Sequence, residues 1–97
     1  MNVEYSKNFQ KAYRKQSGKM QKSVANSIRE VKEAKTIESL TDCEKLIGYS
    51  RSYRLRIGSL RAFFIFHVDG EKVCFEYLVP RGEAYSKKTL SALREKD

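Results

Sequence analysis

Polar and apolar residues alternate strictly through residues 53–57. This period of two predicts a strand, and Gly58-Ser59 directly after it is typical of a two-residue hairpin turn that leads into a second strand. A turn of that length places Arg56 directly opposite Arg61, although like charges that face each other destabilise a ladder. Folding alone does not require this arrangement, and an anionic partner would explain it.

The longest apolar run follows this turn and predicts a central strand over residues 60–68. Asp69-Gly70 is the strongest hairpin signal in the chain, because Asp-Gly suits the backbone of a tight turn. The return strand is expected from about residue 71 or 72 to Val79, where Pro80 ends it.

Two-residue turns at both positions sort the three strands into two faces. One face is wholly apolar or aromatic and collects Tyr53, Leu55, Ile57, Leu60, Ala62, Phe64, Phe66, Val68, Val73, Phe75, Tyr77 and Val79. The other is mixed and collects Arg54, Arg56, Arg61, Phe63, Ile65, His67, Lys72, Cys74, Glu76 and Leu78. A one-residue slip would invert a whole strand, so the agreement between strands supports this register. We expect helices on the apolar face and a functional surface on the mixed face.

The flanking segments predict one further strand and three helices. Residues 2–5 form a short strand, and Ser6 caps a helix that ends near Gln16. Ser17-Gly18 breaks this helix, and a second, longer helix carries an apolar stripe at Met20, Val24, Ile28 and Val31. Thr41 to Glu44 matches a capping box, which predicts a short helical turn. Ser86 caps a last basic helix that reaches about Lys96.

These elements predict one domain, residues 1–97, of the α+β class. Its small, largely antiparallel sheet carries the N-terminal helix pair on one face, and a C-terminal helix follows the last strand.

The composition, 40% hydrophobic and 33% charged, is typical of a soluble globular protein. A formal charge of +8 and a pI near 9.6 favour a polyanionic partner such as nucleic acid, a ribosome or acidic lipid. No apolar run approaches the roughly 20 residues that span a bilayer, and the N-terminus lacks the apolar block of a signal peptide. We therefore expect a cytoplasmic protein without membrane contact.

Conventional catalytic and metal motifs are missing from the sequence. Two distant cysteines, Cys43 and Cys74, and a single histidine make a metal site improbable, and the thiols are expected to be reduced and partly buried. His67 is expected to be structural. Glu76 is the only acid on the mixed face of the three strands, where it offsets arginine charge or, alternatively, acts as a general base.

The arginine group carries the candidate chemistry. Guanidinium groups fork onto phosphate and can stabilise the extra charge of a pentacoordinate transition state. Tyr85, close after Arg81, could stack on a base or transfer a proton. Such a site needs no metal when the nucleophile is the 2′-hydroxyl of RNA, which predicts cleavage of RNA rather than DNA. A surface that merely binds phosphates remains the alternative.

The order of motifs resembles the RelE/ParE superfamily of bacterial toxins over nearly the whole chain. The motifs are Lys45-Leu46-Ile47-Gly48, Tyr53-Arg54-Leu55-Arg56-Ile57-Gly58, Arg61, an aromatic strand, and Arg81 followed four positions later by Tyr85. The resemblance implies the toxin of a type II toxin–antitoxin pair, with a RelE-like fold and a cognate antitoxin as partner. Residues 86–97 are a candidate contact for that antitoxin.

In the RelE branch the toxin enters the ribosomal A site and cuts mRNA without a metal or other cofactor. The resemblance implies phosphate clamping by Arg61 and Arg81, mRNA positioning by Arg54 and Arg56, and stacking or proton transfer by Tyr85. Several members carry lysine at the positions of Arg54 and Arg56, and many carry histidine or lysine where this chain has Pro80. The resemblance therefore leaves the general base unidentified.

Two other functions remain open. The ParE branch shares the fold but poisons DNA gyrase by binding it, without cutting RNA. A basic RNA-binding module without toxicity is the third possibility.

Overall fold

The computed structural model describes residues 1–97 as a five-stranded sheet with helices on both faces. The strands are β1 (Asn2–Tyr5), β2 (Cys43–Lys45), β3 (Ser52–Ile57), β4 (Leu60–His67) and β5 (Lys72–Pro80). The helices are α1 (Lys7–Arg14), α2 (Gly18–Glu33) and α3 (Lys87–Lys96), with 3₁₀ turns at Ile37–Ser39 and Arg81–Glu83. The predicted α+β class is confirmed. The sheet order is β1-β5-β4-β3-β2, and it is mixed because β1 runs parallel to β5.

A serine side chain begins each of the three helices. Ser6, Ser17 and Ser86 each accept a hydrogen bond from the backbone N–H three residues later, at 3.0, 3.2 and 3.2 Å. Each cap satisfies a donor that the helix itself leaves free. No helix is both long and apolar enough to cross a membrane.

The main core lies between the helix pair and one face of the sheet. Its fully buried side chains come from both helices and the central strands: Phe9, Val24, Val31, Ala62, Phe64, Val73 and Phe75. The aromatic rings interlock, with Phe64 and Phe75 edge-to-face at 5.6 Å and Phe9 at 5.1 Å from Phe75. This is the arrangement that the helical stripe and the alternating strands predict.

A second, smaller core lies on the opposite face, beneath α3. Phe63 and Ile65 of β4 are fully buried there against Leu93 and Ala84, with Leu46 at the border. The prediction that the mixed face stays open is therefore wrong for the part that α3 covers. The physical reason is that Phe63 and Ile65 need an apolar partner, which α3 supplies. Only the end of this face near the first hairpin remains for a ligand.

A β-bulge interrupts the pairing of β4 with β5. Phe64 pairs with Phe75, but Phe63 pairs with Tyr77, so Glu76 is the extra residue. Beyond the bulge the faces exchange. Leu78 is buried in the main core, and Tyr77 and Val79 pack on the second core, contrary to the predicted faces.

The same bulge leaves Glu76 without a paired residue on β4. Its carboxylate lies 3.6 Å from Lys96 Nζ on α3. Glu76 therefore pairs with a lysine of the C-terminal helix, and the prediction that it offsets arginine charge is wrong.

The segment at Thr41 forms no helical turn, contrary to prediction. Asp42 has a left-handed backbone with φ of 56°, and Cys43–Lys45 continues as the edge strand β2, antiparallel to β3. The capping pattern is short and local, and pairing with β3 satisfies this backbone better than an isolated turn.

The two hairpins differ in how closely they follow the sequence. The first has the predicted two-residue turn, with Ile57 paired to Leu60 and Gly58 at a φ of 57°. In the second, His67 pairs with Lys72 in the predicted register, but both strands stop there. Val68, predicted on the apolar face, lies in the turn and is 75% exposed.

Candidate functional site

Arg61 forms the buried base of the site. It lies directly opposite Arg56 across the β3–β4 ladder, as predicted, and is only 8% exposed. Its Nη1 donates to the carbonyl oxygens of Gly58 and Leu60, both at 2.8 Å. Arg61 therefore braces the hairpin turn from within, in addition to any role with a ligand.

Three other arginines surround Arg61. Burial lowers the pKa of its guanidinium, and so do three neighbouring cations. Those cations are Arg54, Arg56 and Arg81. Like charges held this close repel one another, and a bound anion would relieve that repulsion.

Arg54 links the edge strand to the C-terminal loop. It pairs with Glu44 across the β2–β3 ladder, with 3.5 Å between Nη2 and Oε2. Its Nη1 donates to the hydroxyl oxygen of Tyr85 at 3.3 Å. Its Nε is buried and has no hydrogen-bond partner, and the side chain is 17% exposed. The guanidinium is thus held on two sides with part of its bonding capacity unused.

Arg56 projects further into solvent. Its side chain is 54% exposed and forms an ion pair with Asp42, which precedes β2. An exposed pair of this kind contributes only about 0–1 kcal/mol, so a phosphate can replace the carboxylate at little cost.

Arg81 and Tyr85 approach the hairpin from the segment after β5. The backbone N–H of Arg81 donates to the carbonyl of Ser59 at 2.8 Å, which ties the late loop to the first turn, and its side chain is exposed. Tyr85 is 54% exposed and packs edge-on against the buried ring of Phe63, with 6.3 Å between ring centres. The fold therefore brings all five predicted site residues to one end of the sheet.

Solved structures of RelE toxins share this architecture. The RelB-RelE antitoxin-toxin complex from Methanococcus jannaschii matches with a TM-score of 0.72 and 24% identity over 86% of this chain and 95% of that one. The archaeal RelE-RelB complex from Pyrococcus horikoshii matches with a TM-score of 0.72 and 21% identity over 86% and 97%. A free arginine-to-alanine double mutant of E. coli RelE reaches a TM-score of 0.76 at 18% identity over 98% and 95%. The chain has the RelE toxin fold. No protein-family model matches the sequence, and no curated protein is similar to it.

In this RelE-like chain the site lacks an evident general base. The nearby carboxylates of Asp42 and Glu44 are both paired with arginines. Burial raises the pKa of the Cys43 thiol to about 11, so it stays protonated at neutral pH and is a poor nucleophile. No group of His, Cys, Asp or Glu side chains is arranged to hold a metal ion. Among the five predicted site residues, only Tyr85 carries a hydroxyl, and that hydroxyl accepts a hydrogen bond from Arg54.

The sequence did not reveal the acidic partners of the arginines. A strand at residues 43–45, paired with β3, would have placed Glu44 beside Arg54 and Asp42 near Arg56. His67 Nδ1 lies 3.3 Å from Nη1 of Arg51, a contact that the strand alternation does not predict.

Proposed function

We propose that this RelE-like chain is the toxin of a type II toxin–antitoxin pair, a ribosome-dependent endonuclease that cuts mRNA in the A site of cytoplasmic ribosomes. The observation that carries the proposal is the convergence of four arginines and Tyr85 at the open end of the sheet. Two of the similar structures are complexes of RelE with RelB, which supports a small antitoxin as partner.

The proposed reaction needs no metal. The 2′-hydroxyl loses its proton to solvent water as its oxygen attacks the adjacent phosphorus, and the bond to the 5′-oxygen breaks. The 5′-oxygen takes up a proton, which leaves a 2′,3′-cyclic phosphate and a 5′-hydroxyl. Arg56 and Arg81, both exposed, contact the phosphate oxygens and stabilise the charge that develops. Arg61, to which the resemblance assigns phosphate clamping, is buried on the turn carbonyls, so we assign it the role of adding positive potential from beneath. Arg54 holds Tyr85, which stacks on a base or transfers the proton to the leaving oxygen.

The test is expression in bacteria with 5′ ends of mRNA mapped by primer extension. The wild type is expected to arrest growth and shorten mRNAs at positions covered by ribosomes. Arg81→Ala and Tyr85→Phe are each expected to abolish cleavage, because one removes a phosphate contact and the other the hydroxyl. Lys88→Ala, a surface change on α3, is the matched control and should cut normally.

The other outcomes identify the alternatives. Growth arrest with intact mRNA and a DNA-damage response would indicate a ParE-like gyrase inhibitor, and harmless expression a binding module without toxicity. If both variants still cut mRNA, the assigned site is wrong.

A further inference from the structure

A second groove opens beside the arginine group, between the β2–β3 loop and α3. Its volume is about 520 Å³, and it is lined by Tyr49, Tyr85, Lys87, Leu90, Ser91 and Arg94. Pockets that hold small ligands typically measure about 300–1,000 Å³. Tyr85 belongs both to this groove and, through its bond with Arg54, to the arginine site. The groove therefore begins where the proposed reacting phosphate lies.

The far end of the groove is a flat platform. The guanidinium carbon of Arg94 lies 3.7 Å above the centre of the Tyr49 ring. One face of the guanidinium is covered by that ring, and Arg94 is otherwise exposed. Planar guanidinium groups and aromatic rings are the surfaces on which unpaired RNA bases stack.

The platform is held rigid before any ligand arrives. Arg94 Nη1 donates to the carbonyl of Gly48 at 2.7 Å, and the Tyr49 hydroxyl donates to the carbonyl of Leu90 at 3.2 Å. Lys45 Nζ donates to the carbonyl of Tyr49 itself. A surface fixed in this way loses little conformational entropy when a base stacks on it.

The groove also carries cationic charge without a protein counter-ion. Lys87 in the first turn of α3 is exposed, and neither Lys87 nor Arg94 takes part in any of the four salt bridges. A nucleotide would satisfy both features at once, since its phosphate is anionic and its base is flat.

We propose that this groove is a subsite for an unpaired RNA nucleotide next to the one cleaved, with Lys87 on its phosphate and Arg94, backed by Tyr49, under its base. The proposal rests on the proposed function, because it assigns the chain an RNA substrate. The subsite predicts that the protein contacts RNA beyond the scissile phosphate on one side only.

The experiment measures binding of short RNAs to the purified protein by fluorescence anisotropy at low ionic strength. The RNAs carry a 2′-O-methyl group at the central nucleotide, which removes the nucleophile, and are lengthened one nucleotide at a time on either side. Wild type is expected to gain affinity on lengthening at one side. Arg94→Lys keeps the charge and loses the planar face, so that gain should fall by about 5- to 10-fold.

The salt dependence of binding distinguishes the contribution of charge from that of base stacking. Lys87→Ala should reduce the slope of log affinity against log salt by about one, whereas Arg94→Lys should leave it unchanged. The matched controls are Lys88→Ala, the exposed neighbour that does not line the groove, and Arg29→Lys on α2. Both should bind every RNA as the wild type does, and thermal melting checks that each variant is folded.

The subsite would be overturned by no gain with length in the wild type, by equal gains on both sides, or by equal losses in the controls. The proposed function is judged separately by mRNA cleavage. If wild type cuts mRNA but Arg94→Lys and Lys87→Ala bind all lengths normally, the subsite fails while the toxin activity stands.

Discussion

Arg54 connects two segments of the candidate site. Its two terminal nitrogens reach Glu44 on the edge strand and Tyr85 in the C-terminal loop at the same time. The planar fork of arginine holds two terminal nitrogens apart in a fixed geometry, which the single ammonium nitrogen of lysine does not. Arg54 therefore connects the edge strand to Tyr85.

The pairing with Glu44 predicts unequal effects of two substitutions on mRNA cleavage. Glu44→Gln is expected to lower the rate by less than about fivefold, because the carboxylate is 72% exposed and such pairs contribute about 0–1 kcal/mol. Arg54→Ala should cost more than about tenfold, since it releases Tyr85 and removes a cation. Single-turnover cleavage on programmed ribosomes measures both, with Lys88→Ala, an exposed change on α3, as control.

An equal loss in the two variants would contradict this view. It would mean that the Glu44 carboxylate takes part in the reaction itself, as the general base that the site otherwise lacks.

At the scale of the elements, the bulge in β5 decides which residues face which core. The expected cost of Leu78→Ala is about 2–4 kcal/mol of unfolding free energy, because Leu78 is 5% exposed in the main core. Val79→Ala, at a half-buried position, should cost about 1 kcal/mol or less. Urea unfolding monitored by circular dichroism gives both values. The opposite order would indicate uninterrupted alternation in β5 and no bulge.

The sequence could predict elements wherever one face of the element is apolar and the other polar. The helix stripe and the alternation through Arg54 and Arg56 are of that kind, and the first hairpin was predicted to the residue. The bulge at Glu76 left no such trace, because Tyr77, Leu78 and Val79 are all apolar and fit either face. Pairing of β2 with β3 is likewise decided by contacts distant in sequence, which a local capping pattern cannot show.

The part of the site that lies on the first hairpin could also be predicted from the sequence, and the part contributed by the loop after β5 could not. The turn length alone predicts that Arg56 and Arg61 lie opposite each other, and the structure confirms this pairing. The placement of Arg81 and Tyr85 beside them came only from resemblance, since it depends on how the loop after β5 folds back on Ser59. Strand alternation could not show that Arg61 is buried and donates hydrogen bonds to the carbonyl oxygens of the turn.

On the scale of the whole molecule, the end of α3 is fastened to the loop before β3 through Asp97. Its carboxylate accepts from the backbone N–H groups of Ser50 and Arg51, both at 2.8 Å, and from the Ser52 hydroxyl at 2.7 Å. Burial raises the pKa of Asp97, but these hydrogen bonds and the Arg51 cation outweigh that effect and lower the pKa from 3.8 to about 2. This clasp and the Tyr85 contact hold α3 at its two ends over the second core.

The lowered pKa of Asp97 predicts how the stability of the molecule depends on pH. A depressed folded-state pKa contributes stability that is complete above the unfolded value near 4 and is lost as pH falls towards 2. For this partly exposed group the contribution is about 1–2 kcal/mol. Asp97→Asn should therefore be less stable than the wild type by that amount at pH 7, and most of the difference should be lost between about pH 4 and pH 2. Urea unfolding across this range measures it, with Glu95→Gln, an exposed neighbour on α3, as the matched control. A difference that persists unchanged at pH 2 would mean that the carboxylate charge does not fasten α3.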